Sequence, residues 1–246
     1  MIKKTIKKAF STLMRSYLNE PGSLRKNVIL VRNKEYLYKA MDWSIDPEFD
    51  YCEADEFKNF EDVNGRVTKD MQVILGACAN LKQREGTILE IGTGYGRMTK
   101  YMSLNAPKAS IYTINIPPEL IDDGGEMTTW TLKKEEIGRE YKEALCPNIQ
   151  QIYENTLTWE PQMDHIDLAF IDGCHDEKFV YQDTLKVLSK CKKGSIIMWH
   201  DFNPELINTY DWVKGVCEAV SSLYRHGHLT NKTLYLQDSY VGLYIV

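Results

Sequence analysis

Thr87-Ile88-Leu89-Glu90-Ile91-Gly92-Thr93-Gly94-Tyr95-Gly96-Arg97 decides how the rest of the chain is read. An apolar run of β type, Thr87 to Ile91, leads into three alternating glycines, and a helix-like run from Arg97 to Leu104 follows. Strand, glycine turn and helix start together make a ligand seat. Glycine adopts φ > 0 and lets a ligand approach without a Cβ in the way. The helix start offers unpaired N–H groups. Glu90 stands two residues before the first glycine. A carboxylate there repels a pyrophosphate but suits a ligand with a cationic amino-acid end. The spacing is G-x-G-x-G, not the G-x-G-x-x-G of a dinucleotide fold. No Gly-Lys-Ser/Thr follows, so a phosphate P-loop is excluded.

Further strands follow in the same style. Ser110 to Asn115 reads as the second strand and Asn148 to Tyr153 as the third. In Rossmann-like folds an acid near the end of the second strand takes ribose hydroxyls; this chain has Asn115. Ile166 to Ile171 is apolar enough for a buried parallel strand and runs into Asp172-Gly173-Cys174-His175-Asp176. A helix from Glu177 to Lys190 follows. A strand from Ser195 to Trp199 then runs into His200-Asp201-Phe202-Asn203. Two successive parallel strands therefore each end in an acid beside a histidine. The carboxyl ends of such strands face the ligand crevice, and charged groups gathered there are costly unless used.

Glu90 to Gly96 resembles the first motif of the class I methyltransferases, which bind S-adenosylmethionine. Phe170-Ile171-Asp172-Gly173-x-His175, Gly194 and Trp199-His200-Asp201-Phe202, with Ile137-Gly138-Arg139, look like a small-molecule and sugar O-methyltransferase branch of that family. The resemblance covers residues 62–246. It implies a Rossmann-like α/β fold: a seven-stranded sheet with helices on both faces and a C-terminal antiparallel strand. The hairpin-like runs Thr233 to Gln237 and Tyr240 to Val246 suit that ending. The resemblance also implies S-adenosylmethionine contacts from Glu90, Gly92, Thr93, Gly94, Tyr95, Gly96, Asn115, Asn155, Thr156 and Asp172, with Asn155 against the adenine amino group. It implies methyl transfer to a hydroxyl of a small molecule, such as a sugar or glycoside, with Asp201, His200 and His175 in the catalytic region. An alcohol needs its proton removed, and an imidazole near neutral pKa serves as base. The alternative is Mg2+ held by Asp172, Asp201 and Asn203. Asn115 and Asn155 depart from the carboxylates common in the family. They keep a second reading open, a catalytically silent binding or scaffold protein on this fold. A nicotinamide-dependent oxidoreductase fits less well, given the glycine spacing and the absent ribose acid.

The remaining sequence sets the bounds. The chain has 246 residues, 43% hydrophobic and 26% charged, enough for one sizeable α/β domain with an extension. A net charge of −5 argues against nucleic acid as a partner. Six dispersed cysteines without a C-x-x-C pair exclude familiar zinc spacings and fit a reducing, cytoplasmic setting. Residues 1–61 read as a mostly helical extension or cap. Within it, residues 1–18 form a basic amphipathic pattern that suits packing on the domain or on a second subunit, or contact with a membrane surface. Residues 66–82 read as a helix with Val67, Met71, Ile74, Leu75 and Cys78 on one face. Residues 117–146 read as an insertion, with a polar helix over 131–145 in which Arg139 and Tyr141 are candidate ligand contacts. Residues 209–223 read as a helix with Trp212, Val213, Val216, Val220 and Leu223 inward.

Overall fold

The computed structural model describes residues 24–49, 66–81, 85–121 and 132–246. The basic pattern of residues 1–18, the Asn64-Gly65 turn and Gly124-Gly125 lie outside them.

The strands are β1 (Val28–Val31), β2 (Thr87–Ile91), β3 (Ser110–Asn115), β4 (Ile149–Tyr153), β5 (Ile166–Ile171), β6 (Cys191–Trp199), β7 (Thr233–Leu236) and β8 (Gly242–Ile245). They form one eight-stranded sheet in the order β1-β7-β8-β6-β5-β2-β3-β4. β8 runs antiparallel to both its neighbours, β6 and β7, and the other pairings are parallel. The expected antiparallel ending is thus present, inserted between β6 and β7. The expected seven strands become eight, because Val28–Val31 pairs with Thr233–Leu236 at one edge. A four-residue apolar run beside aromatic and acidic sequence carries no periodicity of its own, and its partner lies some two hundred residues away.

The helices are α1 (Leu24–Asn27), α2 (Lys34–Met41), α3 (Arg66–Ala79), α4 (Arg97–Asn105), α5 (Arg139–Glu143), α6 (Glu177–Lys190) and α7 (Asp211–Arg225). Strand side chains alternate between faces, and each face has its own core. Ile88, Ile111, Leu168, Phe170 and Met198 pack with Val73, Ile74 and Leu75 of α3 and Met102 of α4. Leu89, Ile91, Ala169, Ile171, Ile197 and Trp199 pack with Val180 and Val187 of α6 and Val213, Val216 and Val220 of α7.

Three local expectations shift. The polar helix over 131–145 shrinks to Arg139–Glu143, because Gly138 turns at φ 71° immediately before it. β6 starts at Cys191 rather than Ser195 and carries a register irregularity against β5, with Gly194 at φ 90°. Trp212 does not join the core. It is 43% exposed and stacks on Tyr210, with ring centroids 4.7 Å apart.

Candidate functional site

A pocket of about 480 Å3 opens at the carboxyl ends of β2, β3, β4, β5 and β6. That volume is typical of a small-molecule site. The glycine turn forms its floor. Gly92 sits at φ 101°, Gly94 at 53° and Gly96 at 84°, conformations L side chains rarely hold. A Cβ on Gly92 would lie 2.0 Å from the carbonyl oxygen of Asp172, so the tips of β2 and β5 meet only because the residue is glycine. A Cβ on Gly94 would meet nothing within 4 Å. Its open side belongs to a residue that lines the pocket.

Of the residues expected to bind a cofactor, Gly92, Thr93, Gly94, Tyr95, Gly96, Asn115, Asn155, Thr156 and Asp172 all line this pocket. Glu90 does not, which corrects the expectation of a carboxylate facing the ligand. Its side chain is fully buried on the α4 side of the sheet and accepts 2.5 Å hydrogen bonds from the hydroxyls of Thr99 and Thr113. Its Oε1 has no partner among the described residues. Burial pushes its pKa up to about 8, against the pull of the two threonine hydroxyls. Burial thus favours the protonated form of Glu90 under the floor. Thr113 also meets Thr93 at 2.7 Å, Gln151 donates to Thr93 at 3.0 Å, and Tyr141 donates to Gln151 at 2.9 Å. This buried chain ties the insertion to the turn.

The sign of the Glu90 effect is testable. Its folded pKa lies above the unfolded value of 4.5, so the folded state holds the proton longer. Stability is then greatest below the unfolded pKa and falls as pH rises to about 8, by at most about 1.4 kcal/mol per pH unit. Glu90→Gln removes that ionisation. Its stability relative to wild type, from urea unfolding, is expected to improve between pH 5 and pH 8. An identical difference at both pH values would refute the assignment.

The insertion is latched over the turn. Gly138 N–H donates to the Gly94 carbonyl at 3.0 Å and Glu140 N–H to the Tyr95 carbonyl at 2.9 Å. Arg97 makes a two-point contact with Glu140 at 3.1 and 2.8 Å. Arg139 lies 4.8 Å from the Tyr95 ring centroid. Tyr141 is buried against Gly96 and Gly138. Neither Arg139 nor Tyr141 lines the pocket; they support the turn from outside.

Opposite β4, the tips of β5 and β6 bring two aspartates and two histidines together. His175 Nε2 lies 3.1 Å from Asp201 Oδ2 and 3.6 Å from Asp172 Oδ1. His200 Nδ1 lies 3.1 Å from Asp172 and 3.2 Å from Asp201. Burial opposes charge on all of Asp172, His175 and His200, yet the opposite charges win. Asp172 is held down to about 2 by His200 and His175. His200 is raised well above an ordinary imidazole by Asp172 and Asp201, and His175 is raised by the same pair. Both imidazoles lie between the same two carboxylates, so either would first have to give up its proton to serve as the expected base. Asp201 adopts φ 52°, a conformation that strains a non-glycine residue and clusters at functional sites.

One atom each from Asp172, His175 and Asp201 lies within 4.8 Å of the others, a set able to hold a cation. Asn203, expected as a third oxygen ligand, has its amide engaged elsewhere. Its Oδ1 accepts from the N–H groups of Glu205 and Leu206, and its Nδ2 donates to the Ser239 carbonyl, so its oxygen is already spent on a turn. Two carboxylates and an imidazole suit a transition ion better than Mg2+, which favours oxygen ligands.

Sequence reasoning missed Asp70. This buried α3 residue lies 3.8 Å from His200 Nε2 and accepts the Tyr240 N–H at 2.6 Å. Asp70 lies three residues from Val67 and four from Ile74, so an acid on the apolar face of that helix was the available signal.

The family model described as a methyltransferase domain matches residues 89–202, and every residue lining the pocket falls within that segment. No curated protein matches the chain. Among solved structures, the O-methyltransferase NovP aligns at TM-score 0.54 and 12% identity, over 72% of this chain and 79% of that one. Cofactor-bound Rv0187 from MTB aligns at 0.51 and 17%, over 70% and 77%. The N-methyltransferase NodS from Bradyrhizobium japonicum WM9 aligns at 0.50 and 15%, over 74% and 96%. At these identities the likeness is one of fold.

Proposed function

We propose that this chain, whose residues 89–202 match a methyltransferase domain model, is a class I enzyme that moves the methyl group of S-adenosylmethionine to a hydroxyl of a small molecule, a sugar or glycoside among them. The observation that carries this reading is the His175–Asp201 pair, set at the strand tips across the pocket from the glycine turn. Methyl transfer from a sulfonium is an in-line displacement, in which alignment of acceptor and methyl carbon supplies much of the rate. The glycine turn seats the donor. His175 takes the proton of the acceptor hydroxyl as the oxygen–methyl bond forms and the sulfonium–methyl bond breaks to release S-adenosylhomocysteine, and Asp201 orients the imidazole. His200 bridges Asp172 and Asp201 and keeps both carboxylates in place.

The cation reading draws on the same side chains. Asp172, His175 and Asp201 would hold the ion, which would polarise the acceptor oxygen.

Calorimetric titration with S-adenosylhomocysteine and with NAD tests the proposal. Only the first is expected to bind. Binding of NAD alone would turn the reading to a dehydrogenase, and binding of neither to a silent scaffold. Incubation with S-adenosylmethionine and a panel of glycosides, phenolics and amines, read by mass spectrometry as the gain of one methylene unit, then finds the acceptor. Methylation of amines alone would overturn the hydroxyl assignment. Titration with Mn2+ and Mg2+ decides between base and cation.

A further inference from the structure

The end of the sheet opposite the pocket carries a charge of its own. Residues 24–31, 184–195 and 219–233 contain no aspartate or glutamate, and each stretch brings cations to the amino ends of the strands. Arg25 and Lys26 sit in α1, immediately before β1, and Lys232 stands immediately before β7. Lys192 and Lys193 open β6, and Arg225 ends α7, the return between β6 and β7. All of these side chains are exposed. The chain as a whole has a net charge of −5, so this face is charged against the trend of the molecule.

The fold ties the three stretches together. Lys232 Nζ donates to the Lys26 carbonyl and, at 3.4 Å, to Asn27 Oδ1. Asn231 Nδ2 donates to the Ile245 carbonyl at 2.9 Å, and Gly194 N–H donates to the Val246 carbonyl at 2.8 Å. Ile245 and Val246 therefore join the loop after α7 to the start of β6. Leu24 is buried in the same core cluster as Leu223 and Leu229, which fixes α1 beside the end of α7. Asp164 and Asp167 border the face on the β5 side, where Ile166 pairs with Cys191.

Apolar surface adjoins these cations. Ile29 and Leu30 of β1 are each 48% exposed. The chain that precedes Leu24 joins the fold at this same end. Its sequence places Lys3, Lys4, Lys7, Lys8 and Arg15 among apolar residues, with no acid before Glu20. Cations interleaved with apolar side chains suit the interface of an anionic bilayer, which takes up both. Each Lys or Arg near such a surface adds to the attraction. A nucleic acid would engage the cations through its phosphates and leave the apolar side chains in water. We infer that the amino-end face of the sheet docks on a membrane surface rich in anionic phospholipid. Docked this way, the pocket at the carboxyl ends of the strands opens to the aqueous phase.

Sedimentation of the full chain with lipid vesicles tests this. At low salt the protein is expected to pellet with vesicles of equal parts phosphatidylcholine and phosphatidylserine. It is expected to stay in solution with phosphatidylcholine alone, and to leave the anionic vesicles as sodium chloride screens the charges. Equal binding to both vesicles, or binding to neither, would overturn the inference without recourse to a variant. Lys192→Glu combined with Lys193→Glu then tests the face itself, since neither residue lines the pocket. The double variant is expected to keep its thermal midpoint and to bind anionic vesicles about tenfold more weakly or worse, at about fivefold for each lysine lost. Wild-type affinity in that variant would remove the face from the contact. A single-stranded oligonucleotide held more tightly than the anionic vesicles at the same salt would turn the face to nucleic acid instead.

Discussion

Asp201→Ala is expected to lower turnover by about 10²–10⁴-fold, the range associated with general acid–base groups, while leaving S-adenosylhomocysteine affinity within about twofold of wild type. Two contacts account for the size. The carboxylate lies 3.1 Å from His175 Nε2 and 3.2 Å from His200 Nδ1, so its removal frees the base and unbalances two imidazoles at once. It also removes one of the three groups able to hold a cation, so base and cation mechanisms both require it. Asp201→Asn gives the sharper comparison. Asparagine tolerates the left-handed backbone at φ 52° better than most residues, so folding is retained while the charge is lost. Measured on the acceptor found by the panel, turnover is expected to fall in both variants. Full activity in Asp201→Asn would remove the carboxylate from the chemistry.

Gly94→Val is expected to weaken S-adenosylhomocysteine binding by at least about 100-fold, because a branched side chain would fill the approach that the bare backbone leaves open. The site offers no other obstruction, since a Cβ there meets no neighbouring atom within 4 Å. The backbone at φ 53° also disfavours valine, by about 1–2 kcal/mol, and that part of the effect is separable. Gly94→Asn carries a side chain into the same space with a residue that tolerates positive φ. It should fold with a near-native thermal midpoint and still bind poorly. Gly92→Ala would not serve, because its Cβ would collide with the Asp172 carbonyl at 2.0 Å and confound binding with folding. Native affinity in both Gly94 variants would move the donor away from the turn.

Glu90 shows where reading by motif diverges from reading by geometry. Its place two residues before Gly92 suggested a ligand contact. The two-residue period of a strand puts it on the face of Ile88 instead, under α4, where Thr99 and Thr113 take its oxygen. The information was present in the alternation, but proximity to the glycines outweighed it. Asn203 diverged for a similar local reason. It lies near the tip of β6, yet its amide is consumed by the N–H groups of Glu205 and Leu206.

Local chemistry alone specified the glycine turn, the parallel strands on either side of it and the two acid–histidine tips. Each follows from backbone freedom, apolar runs and charge within a few residues. Packing decided the rest. The eighth strand depends on Thr233–Leu236 for its partner. The meeting of His175 with Asp201, and of Asp70 with His200, depends on how helices and strand tips settle against one another. What the Asn115, Asn155 and Asn203 amide oxygens meet depends on backbone N–H groups that only the folded turns bring within reach. Such contacts join residues far apart in the chain or differ by one rotation of a side chain, and neither leaves a periodic trace in the order of residues.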